Sequence, residues 1–391
     1  MHLDSVLAQA VSLGVSDIHL KIGRPPMVRH TGEIEPMDLP PLTEHDLLSC
    51  LQTVTDGTPQ RAAHWHETGD LDLAYTAEGL PRFRVNVFRQ RGAMSLALRV
   101  IPREVPRFTE LGLPGAVLQL AEEHRGLVLV TGATGSGKTT TLAAMIDHIN
   151  RTRRSHIVTI EDPLEILHED RESIVNQREV GLDTESFGQA LRRALRQDPD
   201  TIMIGELRDA ETAQTALQAA ESGHLVFSTL HTIDAAETIG RMIEFFSEEK
   251  QQVVRSIMAG VLRGVISQRL LPRAGGGRVA VVEAMVVNAR IADLIREGRP
   301  DEIPDAIAEG QFFGMKTFQM ALIEAVLDGT IDREVAANAA SNRHDFLVAF
   351  ERQLKVRNAQ IAVAEKNEGT AESQPEPEVV HTGLRVARPV G

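Results

Sequence analysis

The stretch GATGSGKT, residues 132–139, constrains what this chain can fold into more than any other. It satisfies the pattern G-x-x-x-x-G-K-[ST] in full, between the apolar run GLVLV and the helical spacing of TTLAAMIDHI. A glycine-rich turn in that context points backbone N–H groups at phosphate from a helix N-terminus. Gly132 and Gly137 permit close backbone approach, Ala133, Thr134, Gly135 and Ser136 lie between them, and Thr140 follows on the helix. Lys138 is placed to reach β- and γ-phosphates and Thr139 to hold Mg²⁺. At average residue frequencies, a match somewhere in 391 residues arises by chance with odds of roughly one in a hundred. The flanking strand and helix lower those odds, so the chain is expected to bind ATP with Mg²⁺.

Such a loop belongs at the carboxyl edge of a parallel sheet, and the surrounding residues read that way. Four β-rich runs, GLVLVTG (126–132), HIVTIED (156–162), TIMIGEL (201–207) and LVFSTLH (225–231), alternate with helical segments such as SFGQALRRALRQ. RVAVVEAMVV (278–287) is a further strand candidate. Side chains at the carboxyl ends of such strands face the ligand crevice. Glu206 ends one run and Glu161 with Asp162 another, where a carboxylate can order Mg²⁺ and water or activate the attacking water. A single acid at a strand end is often only a solvated loop residue; two after a phosphate loop are less easily dismissed. His231 leaves the last run at the same edge and is the candidate phosphate sensor. His224 precedes that run, at the opposite end if the strand is continuous. The competing reading makes both histidines hydrogen-bonded rims of a core strand.

Before residue 105 the texture differs. Residues 3–13 carry a helical apolar stripe, and short strands follow in SDIHLKI, PPMVRHTGEIEPM, DLDLAYT, RFRVNVFRQ and MSLALRVIP, an α+β arrangement. At the other end, 312–357 reads as mostly helical, and 363–391 is rich in Glu, Gln, Pro, Gly and Thr without apolar period, as expected of a disordered tail. The formal net charge of −14 and only 4% aromatics argue against a nucleic-acid grip, which needs a basic field and stacking platforms. The single cysteine, Cys50, excludes a multi-cysteine zinc site or an intrachain disulfide. The first residues lack a secretory pattern, and no window is long and apolar enough to span a bilayer, so the chain reads as cytoplasmic.

GATGSGKTTT, IVTIEDPLE, DPDTIMIGELRD and AAESGHLVFSTLHT resemble, in order and spacing, the Walker A, aspartate, atypical Walker B and histidine boxes of the type II/IV secretion ATPase superfamily. SDIHL, GRPPMVRHTGEI, RFRVNVFRQRG, LIREGRP and GMKTFQMAL extend the resemblance to the type IV pilus retraction (twitching-motility, PilT-type) ATPases. That resemblance implies a PAS-like domain over 1–105 and a RecA-like ATPase domain with carboxy-terminal helices over 106–362. It also implies a homohexamer at the inner face of the cytoplasmic membrane, working on the platform protein at the pilus base. It makes Glu206 the catalytic carboxylate, Glu161 a water- or Mg²⁺-ordering acid, and Thr139, Glu161 and Glu206 the Mg²⁺ residues. It places His224 and His231 near the active site, and Arg84, Arg91 and Arg99 where the family's first domain supplies phosphate-sensing arginines. Without the resemblance, those arginines read as solvated strand residues.

Other readings compete. Pilus assembly and type II secretion ATPases share the chemistry, but usually carry a four-cysteine zinc module and an additional amino-terminal domain; SDIHL begins at residue 16. An accessory retraction ATPase has the same boxes. A RecA-like nucleic-acid translocase conflicts with the acidic charge, and no N-K-x-D guanine motif supports a GTPase.

Overall fold

The computed structural model describes residues 2–30, 32–56, 59–101 and 105–371, with 59, 60 and 361–371 described by backbone alone. The chain packs into two compact units, one of 1–271 with 278–318 and one of 272–277 with the residues from 319 onward.

The first unit contains two sheets. One has strands β1 (Asp17–Lys21), β2 (Met27–His30), β3 (Glu33–Pro36), β4 (Asp70–Thr76), β5 (Arg82–Gln90) and β6 (Ala93–Ile101), in the order β3-β2-β1-β6-β5-β4. Its paired strands are antiparallel. Alternation decides its faces: Phe83, Val85 and Val87 of β5 and Leu96 and Leu98 of β6 are buried, while Arg84 and Arg99, directly opposite one another, are exposed. The buried face packs with Leu3 and Leu7 of helix Leu3–Ser12 and Leu47 of helix Glu44–Thr55. Thr43 and Asp46 start the second of these helices with a reciprocal capping box. Residues 102–104, where the boundary near 105 was expected, lie outside the described residues.

The other sheet has β7 (Gly126–Thr131), β8 (His156–Glu161), β9 (Ile174–Glu179), β10 (Thr201–Ile204), β11 (Leu225–Leu230), β12 (Leu262–Pro272) and β13 (Arg278–Val286), in the order β13-β12-β7-β11-β10-β8-β9. From β12 to β9 the pairs are parallel. Every residue of β7, β10 and β11 is buried, which is why their sequences run apolar without alternation. The helices Phe187–Ala194, Ala210–Glu221, Ala235–Glu244 and Glu248–Val261 contribute to its largest core cluster.

Glu283 on β13 connects distant parts of this core. Its Oε1 accepts from Ala235 N at 2.9 Å and its Oε2 from Phe318 N at 3.4 Å, so one carboxylate serves the starts of two helices. Burial pushes this carboxyl up to about 7, against the two N–H groups and Arg269. A carboxyl raised above its ordinary 4.5 stabilises the fold most below that value, and this contribution is lost as pH rises through about 7. Glu283→Gln cannot ionise. Its stability relative to wild type is therefore expected to improve by about 2 kcal/mol from pH 5 to pH 8, read from denaturant unfolding at both values. The same difference at both pH values would show that Glu283 does not titrate in this window.

In the second unit, Ala274 N donates to Thr330 O at 2.9 Å, and helices Arg333–Ala339 and Arg343–Ala371 are joined by Arg333 with Glu351 at 2.8 Å and Arg343 with Glu334 at 2.8 Å. The last helix runs through Ala371, past the residue-363 boundary expected for a disordered tail. The stretch AVAEKNEGTA lacks an apolar stripe, but alanine, glutamate and lysine are strong helix formers. Residues 372–391 of that expected tail lie outside the described residues. No helix among the described residues is long and apolar enough to cross a membrane.

Candidate active site

The parallel strands deliver the predicted residues to one edge. Thr131 of β7 is level with Leu230 of β11, Ser228 of β11 with Ile204 of β10, and Ile204 with Ile160 of β8. Each strand's next residues therefore emerge together: the phosphate loop, His231, Glu206 and Glu161. They line a cavity of about 570 Å³.

Local chemistry explains the loop's sequence. A side chain at Gly132 would place its Cβ 2.4 Å from Gln268 O, and φ there is +138°, so no other residue fits. Gly137 at φ +94° ends the turn and opens helix Lys138–Thr152. Lys138 Nζ donates to Gly132 O at 2.7 Å and to Ala133 O at 3.0 Å, which holds the ammonium over the loop. Burial lowers the Lys138 pKa, and the charges of Glu206 and Glu165 oppose that shift.

Glu206 is fixed by its neighbours on β11. Thr229 Oγ1 donates to Gly205 O at 2.6 Å, and Leu207 N donates to Thr229 O at 3.1 Å. Its carboxylate lies between two nitrogen-bearing groups, the Arg208 guanidinium, which bonds it directly, and His231 Nε2 at 3.3 Å. Arg208 also reaches Asp162 at 3.3 Å. Glu161 is deeper, with Thr159 Oγ1 at 2.7 Å and Gln177 Nε2 at 3.3 Å from its Oε1. Burial raises its carboxyl to about 7, with those hydrogen bonds opposing.

Two sequence expectations need correction. His224 is not at the pocket: its carbonyl accepts from Gly126 N at the start of β7, and its Nδ1 lies 3.0 Å from Ala219 O and 3.1 Å from Ser222 Oγ. Because β11 is continuous, it stands roughly 20 Å from His231 along an extended strand. In this chain it closes the end of helix Ala210–Glu221. Arg91 is in the β5–β6 turn, at φ 50°, with the length of the hairpin between it and the Arg84–Arg99 pair. Of the three arginines, Arg99 lines the cavity, and its Nε donates to Asp17 Oδ1 at 2.8 Å. Arg84 is exposed beside it.

Arg82, Arg208, Thr159 and Gln177 were not anticipated. Arg82 of β5 pairs with Glu179 of β9 at 2.6 Å, joining the two sheets, and both side chains are largely buried. Arg208 sits two residues from Glu206 in GELRD, a signal the sequence contained. Gln177 lies on a strand that the sequence reading lacked altogether.

A phosphate loop opening a helix, with carboxylates and a histidine gathered at the carboxyl edge of a parallel sheet, defines a P-loop nucleoside triphosphatase. The sequence profile of the type II/IV secretion system proteins matches residues 2–278, and the chain belongs to this family and is an ATPase. It is 44% identical over 346 residues to a Pseudomonas aeruginosa protein named type IV pilus retraction ATPase PilT, covering 88% of this chain and 100% of that one. It is 41% identical over 318 residues to a Neisseria gonorrhoeae twitching motility protein, covering 81% of this chain and 84% of that one. Among solved structures, the pilus retraction motor PilT with bound ADP superposes with a TM-score of 0.82 at 45% identity, covering 88% of this chain and 98% of that one. The fold is the α/β fold of the secretion ATPases, with two sheets in a two-domain arrangement consistent with theirs.

Proposed function

We propose that this chain is a type IV pilus retraction motor, which hydrolyses ATP in the cavity above β7, β8, β10 and β11 and converts phosphate release into motion. The observation that carries this reading is the convergence of Lys138, Glu161, Glu206 and His231 on one cavity, from the ends of four strands. Lys138 supplies a point charge to the β- and γ-phosphates, and the loop N–H groups hold the rest of the chain of phosphates. Glu206 takes a proton from water as the water oxygen bonds to the γ-phosphorus. The bond to the β–γ bridging oxygen breaks, leaving ADP and phosphate. Glu161 orders that water from the β8 side.

The Thr139 hydroxyl and the Glu206 and Glu161 carboxylates line the same cavity and offer the oxygen donors that Mg²⁺ takes beside phosphate and water. When bound, the ion neutralises charge on the phosphates. His231, beside Glu206, reads the γ-phosphate. His231→Ala is expected to lower kcat by at least about tenfold while ATP affinity changes less than about twofold. Early melting with unchanged turnover per folded molecule would favour the rim-histidine reading instead.

Arg99, and Arg84 beside it, carry the state of the pocket to the first sheet, so that loss of phosphate loosens one sheet from the other. Six copies in a ring at the inner face of the cytoplasmic membrane would pass such rotations to a platform protein at the pilus base. The domains divide near residue 105, with the ATPase domain extending to about 362. No nucleic acid takes part. Deletion of the gene tests this function: the cells are expected to keep their pili and lose retraction, and a Glu206→Gln chain is expected not to restore it. Retraction at normal frequency in the deletion strain would remove this function.

A further inference from the structure

Glu161 ends a strand whose side chains are otherwise mostly apolar, so its working orientation has to be set by a few polar neighbours. Thr159, two residues earlier on the same face, donates to Glu161 Oε1 at 2.7 Å. Gln177 of β9 stands directly opposite Thr159 in the parallel register, and its Nε2 lies 3.3 Å from the same oxygen. The Gln177 amide is itself held at both ends: its Oε1 accepts from His168 N at 2.8 Å, and its Nε2 donates to Ile166 O at 2.8 Å. One partner is a backbone donor and the other a backbone acceptor, so the identity of each end of the amide is fixed. The second Nε2 hydrogen is left for Glu161. A bond of 3.3 Å is long, but the amide cannot turn from Glu161 without giving up two shorter bonds to the loop that walls the cavity at Ile166 and His168.

We propose that Gln177, acting with Thr159, is the positioning residue that holds the Glu161 carboxylate in its catalytic orientation. This rests on the ATPase reading of the site above. Gln177 touches no substrate; it acts through Glu161.

Gln177→Met keeps the length of the side chain and removes both amide functions. It is expected to lower kcat of the full-length chain about tenfold, with KM and the affinity for a fluorescent ATP analogue within about twofold of wild type. Thr159→Val should lower kcat in the same direction, and Thr159→Ser, which keeps the hydroxyl, should restore it. In a Glu161→Gln background, Gln177→Met should have no further effect, because the group it positions is already gone. An equal loss in both backgrounds would show that Gln177 only packs the loop, and unchanged kcat in Gln177→Met would also overturn the proposal. Should Gln177→Met not fold, Thr159→Val and Thr159→Ser in the two Glu161 backgrounds decide by the same criteria. A wild-type chain without ATP hydrolysis would instead remove the ATPase reading, and this inference with it.

Discussion

Lys138→Ala is expected to abolish ATP binding and hydrolysis while leaving the chain folded. The ammonium is the cation that the phosphate loop places at the carboxyl edge of β7, and it is oriented by Gly132 O and Ala133 O. Removing it leaves the terminal phosphates facing backbone N–H groups, beside the carboxyl groups of Glu206 and Glu161. Loss of a charge-assisted phosphate contact at such a site weakens binding by roughly a hundredfold or more. The fold should tolerate the change, because the apolar core beneath the loop, from Leu127 to Val130 and from Leu142 to Ile149, does not involve the ammonium. Titration with a fluorescent ATP analogue, beside a thermal melt, measures both expectations. Undiminished affinity in a folded variant would move the nucleotide site elsewhere.

Glu206→Gln is expected to separate binding from turnover. The amide has the shape of the carboxylate and keeps a hydrogen-bonding edge toward Arg208 and His231, but it cannot accept the proton of an attacking water. ATP affinity should stay within a few-fold, while kcat falls by about a thousandfold, within the range of general-base catalysis. Single-turnover measurements with ATP prebound would show this directly. Turnover within a few-fold of wild type would pass the role to Glu161, the other carboxylate at the same edge.

What could be read in advance follows from how each residue is held. GLVLV, TIMI and LVFSTL announce themselves because a strand buried on both faces has no place for polar residues. β9 stayed hidden because it is an edge strand: IVNQRE mixes exposed Ile174 and Asn176 with buried Glu179, and neither alternation nor an apolar run marks it. β12, LRGVISQRLLP, is broken by Gly264, where a side chain would meet Leu120 and Met285 O. The site residues on well-marked strands, Glu161, Glu206 and His231, were legible from strand direction alone. Strand geometry also placed His224 at the far end, and the structure bears that out against the box motif. Arg82 and Gln177 could not be found this way, since their roles depend on which strand lies beside which.

The Arg82–Glu179 contact bears on the mechanical grain of the molecule. Glu179 Oε2 also lies 3.4 Å from Leu164 N, so the first sheet grips the loop that follows Glu161 through a single carboxylate. Two opposite charges withdrawn from water attract strongly at contact and are well solvated once apart. Between those extremes they have lost one stabilisation without gaining the other. A joint of this kind snaps rather than stretches. Separating β5 from β9 at this point means breaking one largely buried ion pair, a contact that is either made or lost.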